Sequence, residues 1–257
     1  MQNPMMMTDR VIMITGGGQG IGRQLAEQLL SLEAQVALVD IDADVLSDAR
    51  DALGPDRVRT YCGDVSDAAF VGTTVAKIVN DFGDIHGLIN NAGIVRAAMA
   101  SEMAMEQWHQ VIGVNLTGAF ICLQAVGQQL INKAKQGDPN PGSIVNISSD
   151  AGRRGTIGQI NYGAAKSGVL GLTMCSAREW GRYNINVNSV CYGMVETAMT
   201  ETIRQEKFRD KYLSQIPLGR FSTTGDVAPA TCFLLSDAAS YITGQHLSID
   251  GGFYISS

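Results

Sequence analysis

Three side chains with acid–base or hydrogen-bonding chemistry, Ser149, Tyr162 and Lys166, lie close together in the sequence. Tyr162 and Lys166 are four residues apart in a stretch with helical spacing, so they share one helix face. A phenol, whose ordinary pKa is about 10, is a poor base at neutral pH, but a neighbouring ammonium favours the phenolate. Ser149 follows an apolar strand and can hydrogen-bond to a carbonyl or alkoxide oxygen. This pattern predicts proton transfer at an oxygen atom, coupled to a cofactor that carries a hydride.

A glycine-rich run, Thr15–Gly22, joins an apolar strand at residues 11–14 to a stretch with helical spacing. Glycines in such a turn allow positive φ, close approach of the backbone to a phosphate, and tight packing of the helix on the strand. The free N–H groups of the first helical turn would then bind the pyrophosphate of a dinucleotide. A plain glycine turn is the alternative, which the strand–turn–helix context disfavours. The residues predicted to bind the cofactor here are Gly16, Gln19, Gly20, Ile21 and Gly22.

The second apolar strand ends in Asp40, about 20 residues after the glycines, where a ribose-binding carboxylate is expected. A carboxylate accepts hydrogen bonds from the ribose hydroxyls of NAD and repels the 2′-phosphate of NADP. Gln19 and Ile41 occupy positions where an arginine could offset that repulsion. Asp40 could instead cap the next helix, but Asp42 can serve as that cap. The sequence therefore predicts NAD as the cofactor, with Asp40 and Ile41 beside its ribose.

The composition indicates a single domain over residues 1–257, long enough for a full α/β core. A net charge of −6 argues against nucleic acid or an anionic membrane as a partner, and no apolar run approaches membrane-spanning length. Five scattered cysteines predict reduced, mostly buried thiols in a cytoplasmic protein. The three histidines are equally dispersed, so no metal site is expected.

Strands and helices alternate along the chain. This alternation predicts an α/β, Rossmann-type, doubly wound parallel sheet of about seven strands with helices on both faces. The segment 194–218 interrupts the alternation and is rich in charged residues, so we predict that it is a substrate lid. Strands are expected near 11–15, 35–40, 57–62, 85–90, 143–148, 185–191 and 246–250. Helices are expected near 20–32, 42–53, 66–82, 104–134, 161–182, 196–213 and 226–236.

Further motifs accompany the glycine run and the Tyr162-x-x-x-Lys166 pair, namely Gly63-Asp-Val65, Asn90-Asn-Ala-Gly93, Asn115, Ile147-Ser-Ser149, Asn188-Ser-Val190 and Asp250-Gly-Gly252. Together they resemble the short-chain dehydrogenase/reductase family from end to end. The resemblance implies that Asn115 joins the catalytic group by holding a water that links Lys166 to solvent, although Asn115 could equally be a structural residue. It also implies cofactor contacts from Asp64, Val65, Asn91, Ala92, Gly93, Tyr162, Lys166, Gly193, Val195 and Thr197, with Thr197 on the nicotinamide carboxamide.

The chain departs from the family pattern after Val190, where Cys191-Tyr192-Gly193 replaces the usual Pro-Gly pair. We expect Tyr192 to line the substrate pocket. The stretch Tyr241–Gly252 is similar to the 3-oxoacyl-thioester reductases. Members that act on acyl carrier protein tend to use NADPH and an arginine pair to dock the carrier. The matching positions here hold Asn140 and Tyr183, while Arg182 lies next to them and Arg153 and Arg154 lie beside the active site.

Three functions are therefore weighed. The favoured one is an NAD(H)-dependent oxidoreductase that interconverts a secondary alcohol and a ketone, with a small molecule or a 3-hydroxyacyl/3-oxoacyl thioester as substrate. The second is a 3-oxoacyl-acyl-carrier-protein reductase of fatty-acid synthesis. The third is a non-catalytic dinucleotide-binding regulator on the same fold. We also predict a homotetramer, because the helices near 104–134 and 161–182 carry apolar residues on more than one face. These residues are Val111, Leu123, Leu172 and Trp180.

Overall fold

A parallel sheet of seven strands forms the centre of the computed structural model, which describes residues 3–255 apart from the side chains of residues 202 and 203. The strands are β1 (Val11–Thr15), β2 (Gln35–Asp40), β3 (Val58–Cys62), β4 (Gly87–Asn90), β5 (Gly142–Ser149), β6 (Ile185–Tyr192) and β7 (His246–Ile249). Their order across the sheet is β3-β2-β1-β4-β5-β6-β7, and all neighbours are parallel. The predicted Rossmann-type sheet is confirmed, because the chain runs outward in both directions from β1.

Helices cover both faces of the sheet. They are α1 (Gly20–Ser31), α2 (Ala43–Leu53), α3 (Ala68–Phe82), α4 (Met105–Ile112), α5 (Ala119–Lys135), α6 (Ala151–Arg154), α7 (Ile160–Trp180), α8 (Glu201–Arg204), α9 (Glu206–Leu213) and α10 (Thr224–Phe233). Alternate residues of β1 face opposite layers: Ile12 and Ile14 pack with α1, α2 and α10, while Val11 and Met13 pack with α3, α5 and α7. Burial on both faces explains why the strands are apolar throughout.

The seven strands and most helices lie where the sequence predicts them, with ends that differ by at most three residues. Two predicted helices are divided. The one expected over 104–134 becomes α4, a π-helical segment Gly113–Gly118 and α5, and the one expected over 196–213 becomes a 3₁₀ turn followed by α8 and α9. Asn115 lies in the π-helical segment, whose turn is wider than that of an α-helix, and its side chain bonds to the backbone of Ile94. The four-residue helix α6 is too short to give a periodic signal.

One helical stretch, Met105–Lys135, is long and apolar enough to cross a membrane by length and composition, with a mean hydropathy of 1.4 over its most apolar window. The expectation that no apolar run reaches such a length is therefore wrong. In this fold the stretch packs against the sheet through residues that include Val111, Cys122, Val126 and Leu130. The apolar residues that face the sheet belong to the core, whereas other apolar residues of the same stretch remain exposed.

The carboxyl ends of β1 and β4 form the crevice at which the strand order reverses. Asn91, directly after β4, donates its side-chain amide to the carbonyl oxygens of Thr15 and Gly16, each at 3.0 Å. The backbone N–H of Asn91 also donates to Thr15 Oγ at 3.0 Å. These bonds fix the glycine turn against β4. Ligands bind in open α/β sheets at such a crevice, so it is the place to look for a site.

Candidate active site

The glycine turn has the shape of an anion-binding cradle. Gly16 and Gly20 have φ of +62° and +55°, a region that favours glycine. A Cβ on Gly22 would overlap the carbonyl oxygen of Gly16, whereas a Cβ on Gly20 would meet nothing within 4 Å. Gln19, the residue before α1, does not cap the helix with its side chain, so the N–H groups of the first turn are left for an anion. The turn fits a dinucleotide pyrophosphate, and Ile21 lies in the same turn, half-buried.

The carboxylate of Asp40 is held beside this turn. Its two oxygens accept hydrogen bonds from the N–H groups of Gly18, at 3.1 Å, and Asp42, at 3.3 Å. Asp42 caps α2 by accepting from the N–H groups of Asp44 and Val45, so the helix-cap alternative for Asp40 is wrong. Ile41, beside Asp40, is 70% exposed. The structure thus places a fixed negative charge next to the phosphate cradle.

The next strand end carries Asp64 and Val65. One oxygen of Asp64 accepts from the N–H of Ser66 at 2.8 Å, which stabilises the loop after β3. Val65 is buried among the residues that pack with α3 and α5. A Cβ at Gly118 would lie 2.9 Å from the side chain of Val65, so that side chain belongs to the core. Contact of these two residues with an adenine stays a prediction from the family resemblance.

Asn115 holds the loop that follows β4. Its Oδ1 accepts from the N–H of Ile94 at 2.8 Å, and its Nδ2 donates to the carbonyl of Ile94 at 3.0 Å. The side chain is 1% exposed. The structural interpretation of Asn115 is therefore observed, because its amide is engaged with the backbone next to Gly93. Ala92, in the same loop, donates its N–H to Thr15 Oγ at 3.0 Å and packs against the glycine turn.

Ser149, Tyr162 and Lys166 meet at the carboxyl end of β5, as the sequence predicts. The hydroxyl of Ser149 lies close enough to the phenol of Tyr162 to lower the pKa of that phenol, and its oxygen accepts from the N–H of Ala151 at 3.2 Å. Lys166 is 3% exposed, and its Nζ donates to the carbonyl of Ile147 at 2.8 Å while lying 5.7 Å from the centre of the Tyr162 ring. The hydroxyl and the phenol can therefore act on one substrate oxygen, with the buried ammonium behind them.

Burial dominates the electrostatics of this group. It raises the pKa of Tyr162, an effect that the hydrogen bond from Ser149 partly opposes. It lowers the pKa of Lys166 to about 8, with a smaller opposing effect from the buried thiol of Cys191. The expected lowering of the Tyr162 pKa by Lys166 is not observed, because the ammonium is directed at the carbonyl of Ile147. In the free protein Tyr162 is therefore a proton donor.

The stability of the free protein should depend on Lys166 above neutral pH. Because the folded pKa of Lys166, about 8, lies below that of the unfolded chain, the folded state releases this proton first. The wild type should therefore gain roughly 1–2 kcal/mol relative to Lys166→Met as the pH rises from about 7.5 to 9.5. Urea unfolding at both pH values measures this gain. The exposed Lys77→Met is the control, and a pH-independent difference for Lys166→Met would contradict the assignment.

The predicted nicotinamide end is formed by the segment after β6. Gly193 donates its N–H to the carbonyl of Ile249 at 3.2 Å, and Val195 is buried. The N–H of Thr197 donates to Thr200 Oγ at 3.1 Å, and its carbonyl accepts from Arg204 at 3.0 Å. Both bonds use the main chain of Thr197. The Thr197 side chain is half-buried and is involved in neither bond.

Tyr192 does not line the pocket, contrary to expectation. It is 5% exposed, and its hydroxyl shares a hydrogen bond of 2.8 Å with the hydroxyl of Thr231 on α10. Burial raises its pKa. Tyr192 belongs to the core between the sheet, α1 and α10. The sequence did not reveal this because the face on which a strand-end residue lies depends on the packing of α10.

The two positions matched to a carrier-docking arginine pair lie far from the catalytic group. Asn140 precedes β5 and Tyr183 precedes β6, so both are at the amino edge of the sheet, opposite to Ser149. Arg153 donates to Ser248 Oγ and to the carbonyl of His246, while Arg154 lies over the ring of Phe253. Of these two arginines, Arg154 is exposed and Arg153 is half-buried.

Asp150, next to Ser149, is a residue of the site that the sequence analysis did not single out. It is 3% exposed, although its carboxyl forms no ion pair or hydrogen bond that the described residues reveal. The only sequence signal was an acidic residue among the small residues 148–152. Among the residues that the structure describes, no group of three or more His, Cys, Asp or Glu residues could hold a metal ion.

A parallel Rossmann-type sheet, a phosphate cradle at its switch point and a Ser–Tyr–Lys group at a neighbouring strand end define a dinucleotide-dependent oxidoreductase. A family model described as enoyl-(acyl carrier protein) reductase matches residues 16–254. The chain is 42% identical to 3-oxoacyl-[acyl-carrier-protein] reductase FabG of Thermotoga maritima, over 98% of this chain and all of that protein. It is 36% identical to (3R)-3-hydroxyacyl-CoA dehydrogenase of Canis lupus familiaris, over 99% of this chain and all of that protein.

Among solved structures, a short-chain dehydrogenase/reductase of the glucose/ribitol dehydrogenase type from Brucella melitensis superimposes with a TM-score of 0.89 at 33% identity. That match covers 97% of this chain and 98% of the other. The chain belongs to the short-chain dehydrogenase/reductase family. It is an oxidoreductase that acts on hydroxyl or ketone groups with a nicotinamide dinucleotide, whose pyrophosphate the cradle of α1 fits.

Proposed function

We propose that this protein is an NAD(H)-dependent oxidoreductase that interconverts a 3-hydroxyacyl and a 3-oxoacyl compound. The observation that carries the proposal is the contact between Tyr162 and Ser149 at the end of β5, with Lys166 buried beneath them. The names of the relatives support the acyl substrate class. The nicotinamide dinucleotide supplies or accepts the hydride.

The protein handles the proton and the oxygen of the substrate. In the reducing direction, Tyr162 gives its proton to the substrate oxygen as the carbonyl becomes an alkoxide. Ser149 stabilises the same oxygen with a hydrogen bond. Lys166, whose Nζ lies 5.7 Å from the centre of the Tyr162 ring, supplies positive charge near the phenolate that remains after the proton has been transferred. In the oxidising direction the same groups accept the proton of the alcohol.

NAD is favoured over NADP by the charge beside the cradle. Asp40 is fixed by two backbone N–H groups next to the glycine turn, so it cannot easily swing away from a 2′-phosphate. A like-charge contact of this kind opposes binding. The neighbouring positions, Gln19 and Ile41, supply no cation.

A free or coenzyme A-linked acyl compound is favoured over a carrier-bound one. Asn140 and Tyr183, matched to the docking arginines, are uncharged and lie at the edge of the sheet opposite the catalytic group. The alternative, a 3-oxoacyl-acyl-carrier-protein reductase, is favoured by the names of relatives such as the Thermotoga maritima protein. Arg154 is an exposed cation near the site that an acidic carrier could contact.

A cofactor-coupled assay tests both functions. NAD reduction is followed with (3R)- and (3S)-3-hydroxyacyl thioesters of coenzyme A and with simple secondary alcohols, and NADH and NADPH oxidation with 3-oxoacyl groups on coenzyme A and on acyl carrier protein. The proposal expects turnover with NAD(H) and the coenzyme A thioesters. Activity confined to NADPH and the carrier would establish the alternative. Cofactor oxidation is also followed with an enoyl thioester, because the family description names an enoyl substrate.

We further propose a homotetramer, supported by apolar residues that the fold leaves uncovered. Val111 and Leu123, which the sequence analysis assigned to this role, are buried in the core, so that part of the expectation is wrong. The exposed apolar residues of the same helices include Met105, Phe120, Ile160 and Met174, between 42% and 62% exposed. Large apolar side chains left in water on neighbouring helices are typical of subunit interfaces.

Phe120→Glu is expected to reduce the oligomer to smaller species, because a carboxylate would be buried without a partner at the interface. Sedimentation velocity at micromolar concentration measures the change. Ile157→Glu is the matched control, since Ile157 is 87% exposed in the loop before α7. A wild type that sediments as a monomer would contradict the proposal.

The segment 194–218 is proposed to close over cofactor and substrate. Its helices α8 and α9 carry many charged side chains, and Met199 is 54% exposed. The segment is anchored at its two ends, where Val195 is buried and where Ile216 packs with Phe221 and Phe253, and its helices lie between these anchors. Few buried apolar contacts imply low local stability, which a closing segment requires.

A further inference from the structure

The carboxyl of Asp150 is buried with its orientation fixed by the backbone. Its N–H donates to the carbonyl of Tyr192 at 3.1 Å, and its carbonyl accepts from the N–H groups of Arg153 and Arg154. The side chain is 3% exposed, and among the described residues neither carboxyl oxygen has a donor within hydrogen-bonding distance. An ionised carboxylate in this state would be costly, because its charge is removed from water without compensation.

A second buried carboxyl lies across the end of β6 from it, because Ser149, Tyr192 and Ile249 are in register and Asp150 and Asp250 directly follow the first and the last of them. Asp250, in the turn after β7, is 9% exposed and accepts from the N–H groups of Gly252, at 2.9 Å, and Tyr254, at 2.8 Å. Both oxygens of the Asp250 carboxyl therefore act as hydrogen-bond acceptors. Burial, and then the charge of Asp250, raise the pKa of Asp150 to about 7, against smaller lowering effects of Arg154 and Arg153. The Asp250 carboxyl thus has two donors and suits a hydrogen-bond acceptor, whereas the Asp150 carboxyl has none and suits a proton-carrying acid.

The remaining charged or titratable groups around Asp150 are used elsewhere. Arg153 donates to Ser248 Oγ at 2.8 Å and to the carbonyl of His246 at 2.7 Å. Arg154 lies over the ring of Phe253, 3.6 Å from its centre. On β6 the nearby group is Cys191, whose thiol pKa is raised by burial. Neither arginine makes an ion pair with Asp150, so a proton is the group left to satisfy its carboxyl.

We propose that Asp150 is a neutral carboxylic acid that donates a hydrogen bond to the carboxylate of Asp250, and that this shared proton holds the C-terminal turn against the catalytic end of β5. Asp150 is a positioning residue: Ser149, its neighbour, contacts Tyr162, whereas Asp150 acts through the turn. The proposal does not depend on the identity of the substrate.

The C-terminal turn in question supports the base of the segment 194–218. Leu218 donates its N–H to the carbonyl of Gly251 at 3.2 Å, and a Cβ on Gly252 would lie 2.9 Å from Pro217. Phe253 packs with Ile216 and Phe221 in a small apolar cluster. Loss of the proton would place two buried negative charges together, push the turn away from β5 and loosen this support.

The direction of the pH dependence follows from the pKa of Asp150. The folded value, about 7, is higher than that of an aspartate in the unfolded chain, about 3.9. The folded state therefore holds this proton between these values, and the stabilisation is complete below about pH 4 and lost as the pH rises through about 7. Above that pH, protection of residues 212–221 from hydrogen exchange should fall.

Infrared spectroscopy of the cofactor-free protein tests the shared proton directly. In D₂O, the wild type below about pH 7 should show the C=O stretch of a neutral carboxylic acid, which disappears as the pH rises. Asp150→Asn should lack the band yet keep the turn in place, because its amide can donate to Asp250. Asp150→Ala should lack both the band and the protection of residues 212–221 at every pH. Asp48→Asn, at an exposed position on α2, is the matched control and should keep the band.

Two results would overturn the proposal. One is a wild type without the neutral-acid band between about pH 5 and 6.5. The other is a pH-dependent loss of protection that persists unchanged in Asp150→Asn, since that variant has no proton to release. Neither readout requires hydride transfer, so a failure here is distinguishable from a failure of the proposed enzymatic function, which the cofactor-coupled assay measures.

Discussion

Replacement of Tyr162 by phenylalanine is expected to reduce turnover by about 10² to 10⁴, the usual contribution of a general acid–base group. The phenol lies beside the hydroxyl of Ser149, where it can donate its proton to a substrate oxygen. The aromatic ring and its packing are retained in the variant. Steady-state turnover with saturating NAD and substrate measures the effect, and fluorescence titration should show that NAD still binds.

Tyr241→Phe is the matched control, because Tyr241 is fully exposed in the loop before β7. It removes the same hydroxyl group at a position with no proposed role and should leave turnover unchanged. A Tyr162→Phe enzyme within about threefold of the wild type would remove Tyr162 from the catalytic group, since such a change corresponds to less than about 1 kcal/mol in the barrier.

Asp40→Ala is expected to reduce the preference for NAD over NADP by about one to three orders of magnitude. The carboxylate lies at hydrogen-bonding distance from the N–H of Gly18 in the phosphate cradle, so a 2′-phosphate would meet a fixed negative charge. Such contacts cost several kcal/mol, and each 1.4 kcal/mol is about tenfold. The ratio of kcat/KM values for the two cofactors measures the effect. NAD binding should weaken while NADP binding improves.

Asp42→Ala separates this effect from helix capping. Asp42 accepts from the N–H groups of Asp44 and Val45, so its loss should cost about 1 kcal/mol of stability without changing the cofactor ratio. A wild-type enzyme that already prefers NADPH would show that Asp40 does not exclude the 2′-phosphate. Both variants are compared at the same ionic strength, because the interaction is electrostatic.

The sequence alone was enough to predict the sheet and its catalytic edge. Short apolar runs such as Val11–Ile14 are typical of buried parallel strands, and the glycines of residues 16–22 permit backbone conformations that other residues rarely adopt. The four-residue spacing of Tyr162 and Lys166 places both on one face of α7. These features are local, so their physical consequences can be derived from neighbouring residues in the chain.

Tertiary contacts decided the rest. Tyr192 was expected in the pocket, but it packs against α10, where its hydroxyl shares a hydrogen bond with the hydroxyl of Thr231. Burial in the folded chain raises the Tyr162 pKa, and the Lys166 ammonium donates to Ile147 instead of approaching the phenol. Asp150 is separated from Asp250 by a long stretch of chain, and no local spacing indicates that β5 and the turn after β7 bring the two carboxyls together. A sequence pattern specifies a residue's own helix or strand, whereas side-chain direction and charge environment depend on elements that pack against it from elsewhere in the fold.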